Sequence, residues 1–116
     1  MNLYILPFDH RSTFVKGIFG FSYPLTARQK RLVESYKQIV FQGFVKARNQ
    51  YRGTAKKEEF AIFIDEEFGK KVIGSAKKAK VPFAVAVEES GKPEFYFAYG
   101  KEFGKHILDV RPRFAK

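Results

Sequence analysis

Apolar residues gather along the chain in three short unbroken runs, each closed by a polar cluster. Leu3-Tyr4-Ile5-Leu6-Pro7-Phe8 gives way to Asp9-His10-Arg11-Ser12. Phe60-Ala61-Ile62-Phe63-Ile64 gives way to Asp65-Glu66-Glu67, and Phe83-Ala84-Val85-Ala86-Val87 to Glu88-Glu89-Ser90-Gly91. A run that is continuously apolar rather than alternating suits a strand covered on both faces, so the pattern predicts strands over 3–8, 60–64 and 83–87. Pro7 at the end of the first strand and Pro82 at the entry to the third cost no interior ladder bond.

Between the runs the period changes to that of a helix. Thr26-Ala27-Arg28-Gln29 has the form of a capping box, in which the threonine hydroxyl accepts a backbone N–H and the glutamine side chain returns the bond. From it a helix is predicted over 27–48, with Leu32, Val33, Tyr36, Ile39, Val40 and Gly43 as its apolar stripe and Arg31, Glu34, Lys37 and Gln38 opposite. A second helix is predicted over 68–80 on Phe68, Val72, Ala76 and Ala79, and a third over 98–108 on Tyr99, Phe103 and Ile107, stopped at Arg111-Pro112. Residues 12–24, which hold Gly17, Gly20 and four aromatic rings, read as an irregular aromatic loop with room for a turn of helix, and 49–59 as a polar connection.

The resulting order, βαβαβα in a single domain, is α/β with parallel strands, because crossovers of more than a dozen residues join strands that run the same way. Two architectures suit it, an open doubly wound sheet and part of a TIM (β/α)8 barrel. Both display polar side chains at the carboxyl ends of the strands. Neither a Gly-x-Gly-x-x-Gly nor a Gly-Lys-Ser/Thr sequence occurs, which removes motif support for dinucleotide or nucleoside triphosphate binding and favours the barrel.

Composition narrows the chemistry. With 116 residues, 45% hydrophobic content and 17% aromatics, the chain is large enough for one core. It has no cysteine, and its two histidines, His10 and His106, lie far apart in sequence, so no metal site is expected. No run approaches the roughly 20 apolar residues of a membrane span, and no signal-peptide pattern opens the chain, so the expected location is the cytoplasm. The formal charge of +10 would attract anions, but the lysines and arginines are interleaved with apolar residues at helical spacing and read as solvated helix faces.

Five segments in order, Leu6 to Phe14, Phe63 to Gly69, Val87 to Gly91, Glu94 to Gly100 and Phe103 to Ile107, resemble the DUF2090 family. That family is the class I aldolase-like barrel found alone or fused, as the C-terminal domain, to the kinase of bacterial myo-inositol catabolism, and it is related more distantly to tagatose-bisphosphate aldolase. The resemblance implies the N-terminal part of a barrel and a ketose phosphate as ligand. Glu89 stands where the family commonly carries lysine. The Schiff-base lysine of the related aldolases belongs to the sixth strand, so the resemblance also implies that this chain is inactive alone and needs no other cofactor.

The candidate site follows from the strand ends. Asp9 is a candidate for hydrogen bonding to a sugar hydroxyl or for proton transfer, with an acid in the aldolases' site implied by the resemblance, or else a loop cap. His10 is a proton shuttle or a histidine bonded at the strand–loop junction. Arg11 offers a bidentate fork to phosphate, or pairs with Asp65 or Glu88. Asp65 and Glu88 end neighbouring strands and divide acid and base roles, hold Mg²⁺, or orient Arg11 and nearby amides. Ser90 is a phosphate donor or part of a Ser-Gly turn, and Lys116 resembles the lysine that opens the aldolases' fourth strand. His106 has no partner nearby in sequence and reads as structural.

Two functions are expected from these residues. One is an aldolase-like unit binding an anionic sugar phosphate, as a homo-oligomer or with a complementary chain that supplies the remaining strands. The alternative is a non-catalytic basic binding or assembly domain that could contact nucleic acid through its basic helices. The first predicts that Asp9, Arg11, Asp65 and Glu88 are neighbours in space.

Overall fold

A computed structural model describes residues 2–51 and 58–116. Four parallel strands form one sheet in the order β1-β2-β3-β4: β1 (Asn2–Pro7), β2 (Glu58–Ile64), β3 (Phe83–Val85) and β4 (Phe114–Ala115). Helices α1 (Ser12–Phe19), α2 (Ala27–Tyr51), α3 (Lys70–Lys78) and α4 (Phe103–Val110) occupy the connections, with a 3₁₀ turn at Gly100–Glu102 leading into α4. The protein is therefore α/β with a four-stranded parallel sheet.

The register decides which side chains share a face. Ile62 lies beside Phe83 and Ile64 beside Val85. These four pack in one core with Phe41 of α2 and Val72, Ile73 and Ala76 of α3, and Val110 of α4 closes against them. The three crossover helices thus cover the same face of the sheet. Ile5, Phe63, Ala84 and Phe114 take the opposite face by the two-residue alternation of the strands. A second cluster, Val15, Val33 and Phe68 with Phe14, Phe19, Phe21 and Leu25, attaches α1 and the following turn to the start of α2.

The capping box forms as its residue types require. Thr26 N–H donates to Gln29 Oε1 at 2.9 Å and Gln29 N–H to Thr26 Oγ1 at 3.1 Å, and α2 starts at the next residue. Elsewhere the sequence and the structure part. Residues 12–19, expected as an irregular loop with at most a turn of helix, are helical throughout, because Val15 anchors that segment in the second cluster and Gly20 closes it in the left-handed conformation at φ 65°. The second crossover helix begins at Lys70 rather than 68, since Asp65 Oδ2 accepts the Phe68 N–H at 2.7 Å and holds that segment in a turn. Gly69 permits this turn to close: a Cβ there would collide with the Asp65 carbonyl oxygen and the Ile64 side chain.

The third strand ends at Val85 rather than 87, and the chain folds back on itself. Glu89 N–H reaches Tyr96 O at 2.7 Å and Ala98 N–H reaches Val87 O at 2.8 Å, around Gly91 at φ 76°. The last residues add a strand the pattern did not announce. Arg113 N–H donates to Phe83 O and Lys116 N–H to Val85 O, both at 2.9 Å.

The largest departure lies on α2. Leu32, Tyr36 and Ile39, expected in the stripe, are 41%, 44% and 59% exposed, whereas Lys37, expected outside, is fully buried. The buried line is Val33, Lys37, Phe41 and Arg48, flanked by Val40, Phe44 and Val45. Its phase is turned by about one residue, because Lys37 finds acceptors inside that no apolar residue would satisfy.

Candidate ligand-binding cleft

At the carboxyl ends of β1 and β2, the ammonium of Lys37 meets three acceptors. It donates to the carbonyls of Phe8 and of His10, the latter at 2.7 Å, and lies 3.1 Å from Asp65 Oδ1, with both side chains sealed at 0% and 1% exposure. The Phe14 ring sits 4.5 Å from the same nitrogen. The ammonium thus gives two hydrogen bonds to carbonyls and meets Asp65 as an ion pair, Oδ1 making no hydrogen bond of its own. Burial pulls the Lys37 pKa below its usual 10.5, and the Asp65 charge pulls it part of the way back. The pair fixes the Asp9-His10-Arg11 turn against α2 by holding its backbone carbonyls.

Above the pair opens a cleft of about 310 Å³. β1 contributes Arg11 through its following turn, α2 contributes Lys30 and Glu34, and the end of β2 contributes Asp65, Glu66 and Glu67. Lys70 opens α3, and Ala86, Glu88, Ala98 and Tyr99 come from the folded-back segment after β3. Three cations thus face several carboxylates across one space. Among the acids, Asp65 has its charge matched by Lys37.

One wall is braced by residues distant in sequence. His106 Nε2 lies 2.7 and 2.9 Å from the two oxygens of Glu66, and the Tyr99 ring stacks on the imidazole at 3.5 Å and 19°. Burial, and then the Glu66 charge, raise the Tyr99 hydroxyl above its usual pKa of 10.0. His106 therefore has an acid partner 40 positions back, which local inspection of the sequence did not supply.

The structure brings Arg11, Asp65 and Glu88 into the cleft. The expected pairing of Arg11 with Asp65 or Glu88 is not what forms: Asp65 pairs with Lys37, and among the described residues Arg11 makes no ion pair. Asp9 is half-buried and acts electrostatically on Lys37 without lining the cleft. His10 is exposed, its carbonyl rather than its ring being engaged. Ser90 sits exposed near the tip of the folded-back segment. Lys116 projects on the far face, its ammonium 4.7 Å over the Phe63 ring. Among the described residues no three His, Cys, Asp or Glu side chains gather to hold a metal, and no helix is long and apolar enough to cross a membrane.

Lys37, Lys30, Glu34, Glu66, Lys70 and Tyr99 were not singled out from the sequence. The signal for Lys37 was present in the spacing: it stands four residues after Val33 and four before Phe41, within the line that the core takes up. For Glu66 and His106 there was no such signal, since their meeting depends on where α4 lands. Compared with known proteins, the chain matches no family model, no curated protein and no solved structure.

Proposed function

We propose that the cleft binds a sugar phosphate and that the chain is an aldolase-like unit built as the N-terminal part of a TIM barrel, as the resemblance to the DUF2090 family implies. The observation that carries the ligand class is the mixture of charges in one small space. Arg11, Lys30 and Lys70 suit a phosphate, and Glu34, Glu66, Glu67 and Glu88 suit the hydroxyls of a polyol. An apolar ligand would leave those carboxylates desolvated without donors. The strand order and the helices on one face support the barrel reading, because a doubly wound sheet reverses its order and places helices on both faces.

Binding, rather than Schiff-base chemistry, is assigned to this chain. Lys37 has two attributes of an aldolase lysine, burial and a lowered pKa, yet its ammonium is held by two carbonyls and the Asp65 charge, and its side chain has no exposed surface through which a carbonyl could reach it. Titration calorimetry with fructose 6-phosphate, fructose and inorganic phosphate tests the reading. Fructose 6-phosphate should bind at least tenfold more tightly than fructose, and Arg11→Gln should abolish that preference. Equal affinity for the two sugars, or a preference indifferent to Arg11→Gln, refutes it.

A further inference from the structure

Where α3 and α4 end and the chain turns into β3 and β4, the surface carries cations and little else. Lys77 and Lys78 in the last turn of α3, Lys80 just beyond it and Arg111 at the close of α4 are all exposed, and among the described residues none of them enters an ion pair. Lys77 and Arg111 line one groove, whose other lining residues are Leu108 and Asp109. One carboxylate therefore stands among these four cations. The acids Asp65, Glu66, Glu67 and Glu88 lie at the other end of the sheet, after β2 and β3, where they line the cleft. Charge is segregated along the strand direction, and an anionic polymer is steered toward the amino ends of the strands.

Three positions on this surface carry a residue that the backbone would not choose. Lys80 and Arg111 have φ of 52° and 55°, the left-handed conformation in which glycine is the default because a Cβ crowds the following carbonyl. At Lys80 the motif is a Schellman turn, its N–H donating to Lys77 O at 3.2 Å and Val81 N–H to Ala76 O at 2.9 Å. Gly74 occupies the middle of α3, where alanine would be preferred, and a Cβ there would meet open space among the described residues. Two of these departures add a cation, and the third removes a side chain one turn before Lys77 and Lys78. The helix dipole favours a cation near each helix end, but positions 79 and 110 would serve it in ordinary helical geometry. Local choices that oppose the fold gather at functional sites.

We propose that this surface binds the phosphodiester backbone of duplex nucleic acid, with Lys77, Lys78, Lys80 and Arg111 on phosphates and Gly74 leaving the helix bare where the backbone approaches. A duplex carries one charge about every 1.7 Å of its axis, so a patch of four cations meets several phosphates at once. Single strands are held by stacking their bases on aromatic rings, and no ring lines this groove. A bilayer needs an apolar face to enter, whereas the groove offers Leu108 as its one large apolar side chain. Contacts to phosphates alone carry no base preference. The inference stands on α3, α4 and the turns that follow them, and it is independent of the sugar-phosphate reading, whose cleft lies at the opposite ends of the strands.

The test uses the whole chain and a labelled DNA duplex of about 20 base pairs, followed by fluorescence anisotropy from about 25 to 200 mM NaCl. The logarithm of the association constant should fall against the logarithm of salt with a slope of about −3.6, for four phosphate contacts. Lys80→Gly with Arg111→Gly should flatten that slope by about 1.8 and weaken binding at least tenfold at about 100 mM salt. Its Tm should hold or rise, because glycine relieves both left-handed positions. Gly74→Leu, which leaves the charge alone, should raise Tm by roughly 4 °C and weaken duplex binding at least threefold. If the double glycine variant unfolds, Lys77→Gln with Lys78→Gln decides by the same loss of slope. The proposal is overturned by an absence of salt-dependent binding at tens of micromolar protein, by a slope that the charge variants leave unchanged, or by duplex binding indifferent to Gly74→Leu. Tighter binding to a single strand of the same length or to phosphatidylserine vesicles overturns it as well, as does displacement of the duplex by fructose 6-phosphate, which would put the duplex in the cleft.

Discussion

Replacing Lys37 by methionine keeps the length and flexibility of the side chain and removes only its charge and donors. Three costs follow from the contacts it makes. Asp65, 1% exposed, is left as a buried carboxylate whose remaining partner is the Phe68 N–H, and the carbonyls of Phe8 and His10 each lose a donor. Breaking a buried pair by removing one member costs about 3–5 kcal/mol, against a total stability of roughly 5–15 kcal/mol for a domain. Asp65→Asn keeps an acceptor for Phe68 N–H and should cost less. The double variant should be more stable than the sum of the two losses predicts, by about 1–3 kcal/mol, because the stranded carboxylate is no longer charged. Urea unfolding at pH 7 followed by circular dichroism gives all four values. The pH dependence adds an independent sign. The unfolded chain holds the Lys37 proton up to about 10.5 and the folded chain releases it earlier, so between the lowered pKa and 10.5 the unfolded state binds more protons. Stability from this group therefore rises with pH through that window, by at most about 1.4 kcal/mol per pH unit, and the margin of wild type over Lys37→Met should widen. A loss below about 1 kcal/mol in Lys37→Met, or strict additivity in the double variant, would refute the buried-pair reasoning.

Three further outcomes are expected. Gly69→Ala should destabilise by about 1–3 kcal/mol, since the new methyl must displace the Asp65 carbonyl and Ile64, and a loss within 0.5 kcal/mol in the same urea assay would show that the turn yields easily. Thr26→Ala should cost about 1 kcal/mol and lower Tm by roughly 4–8 °C, because it removes one arm of the capping box and leaves a helix N–H without its acceptor. Borohydride treatment with a keto-sugar phosphate, read by intact mass, should leave Lys37 unmodified, and an adduct on that residue would mean that its three contacts open in solution.

What could be read in advance was what depends on neighbours in sequence. The capping box spans the four residues Thr26 to Gln29 and formed as its side chains dictate, and the runs at Phe60 to Ile64 and Phe83 to Val85 are strands, as short unbroken apolar runs rich in branched and aromatic residues favour. The polar ends of those runs do lie together, as Arg11, Asp65 and Glu88 attest. A charged side chain ordinarily implies exposure, but at Lys37 the helix phase and an acid at a strand end together overrule that tendency. β4 escaped notice because two residues carry no periodicity, and it exists only through the partners it finds on Phe83 and Val85. Glu66 and His106 meet because of tertiary packing, which no local pattern encodes.

A buried ion pair is seldom a net source of stability, since desolvating both charges costs about as much as their attraction returns. Its position gives Lys37–Asp65 a different value. Each acceptor of Lys37 belongs to a different piece of chain that must be in register for the cleft to exist: Phe8 at the end of β1, His10 in the turn to α1, and Asp65 at the end of β2. Asp65 in turn, through Phe68 N–H, sets the turn into α3, from whose first residue Lys70 reaches the cleft. An apolar side chain at position 37 would fill the same volume but would accept many registers of these segments. An ammonium with three defined acceptors accepts one. The strand ends that carry the cleft's charges are therefore located by a group that itself stays out of reach of any ligand, and a change at position 37 should blur the geometry of Arg11 and Lys70 as well as weaken the fold.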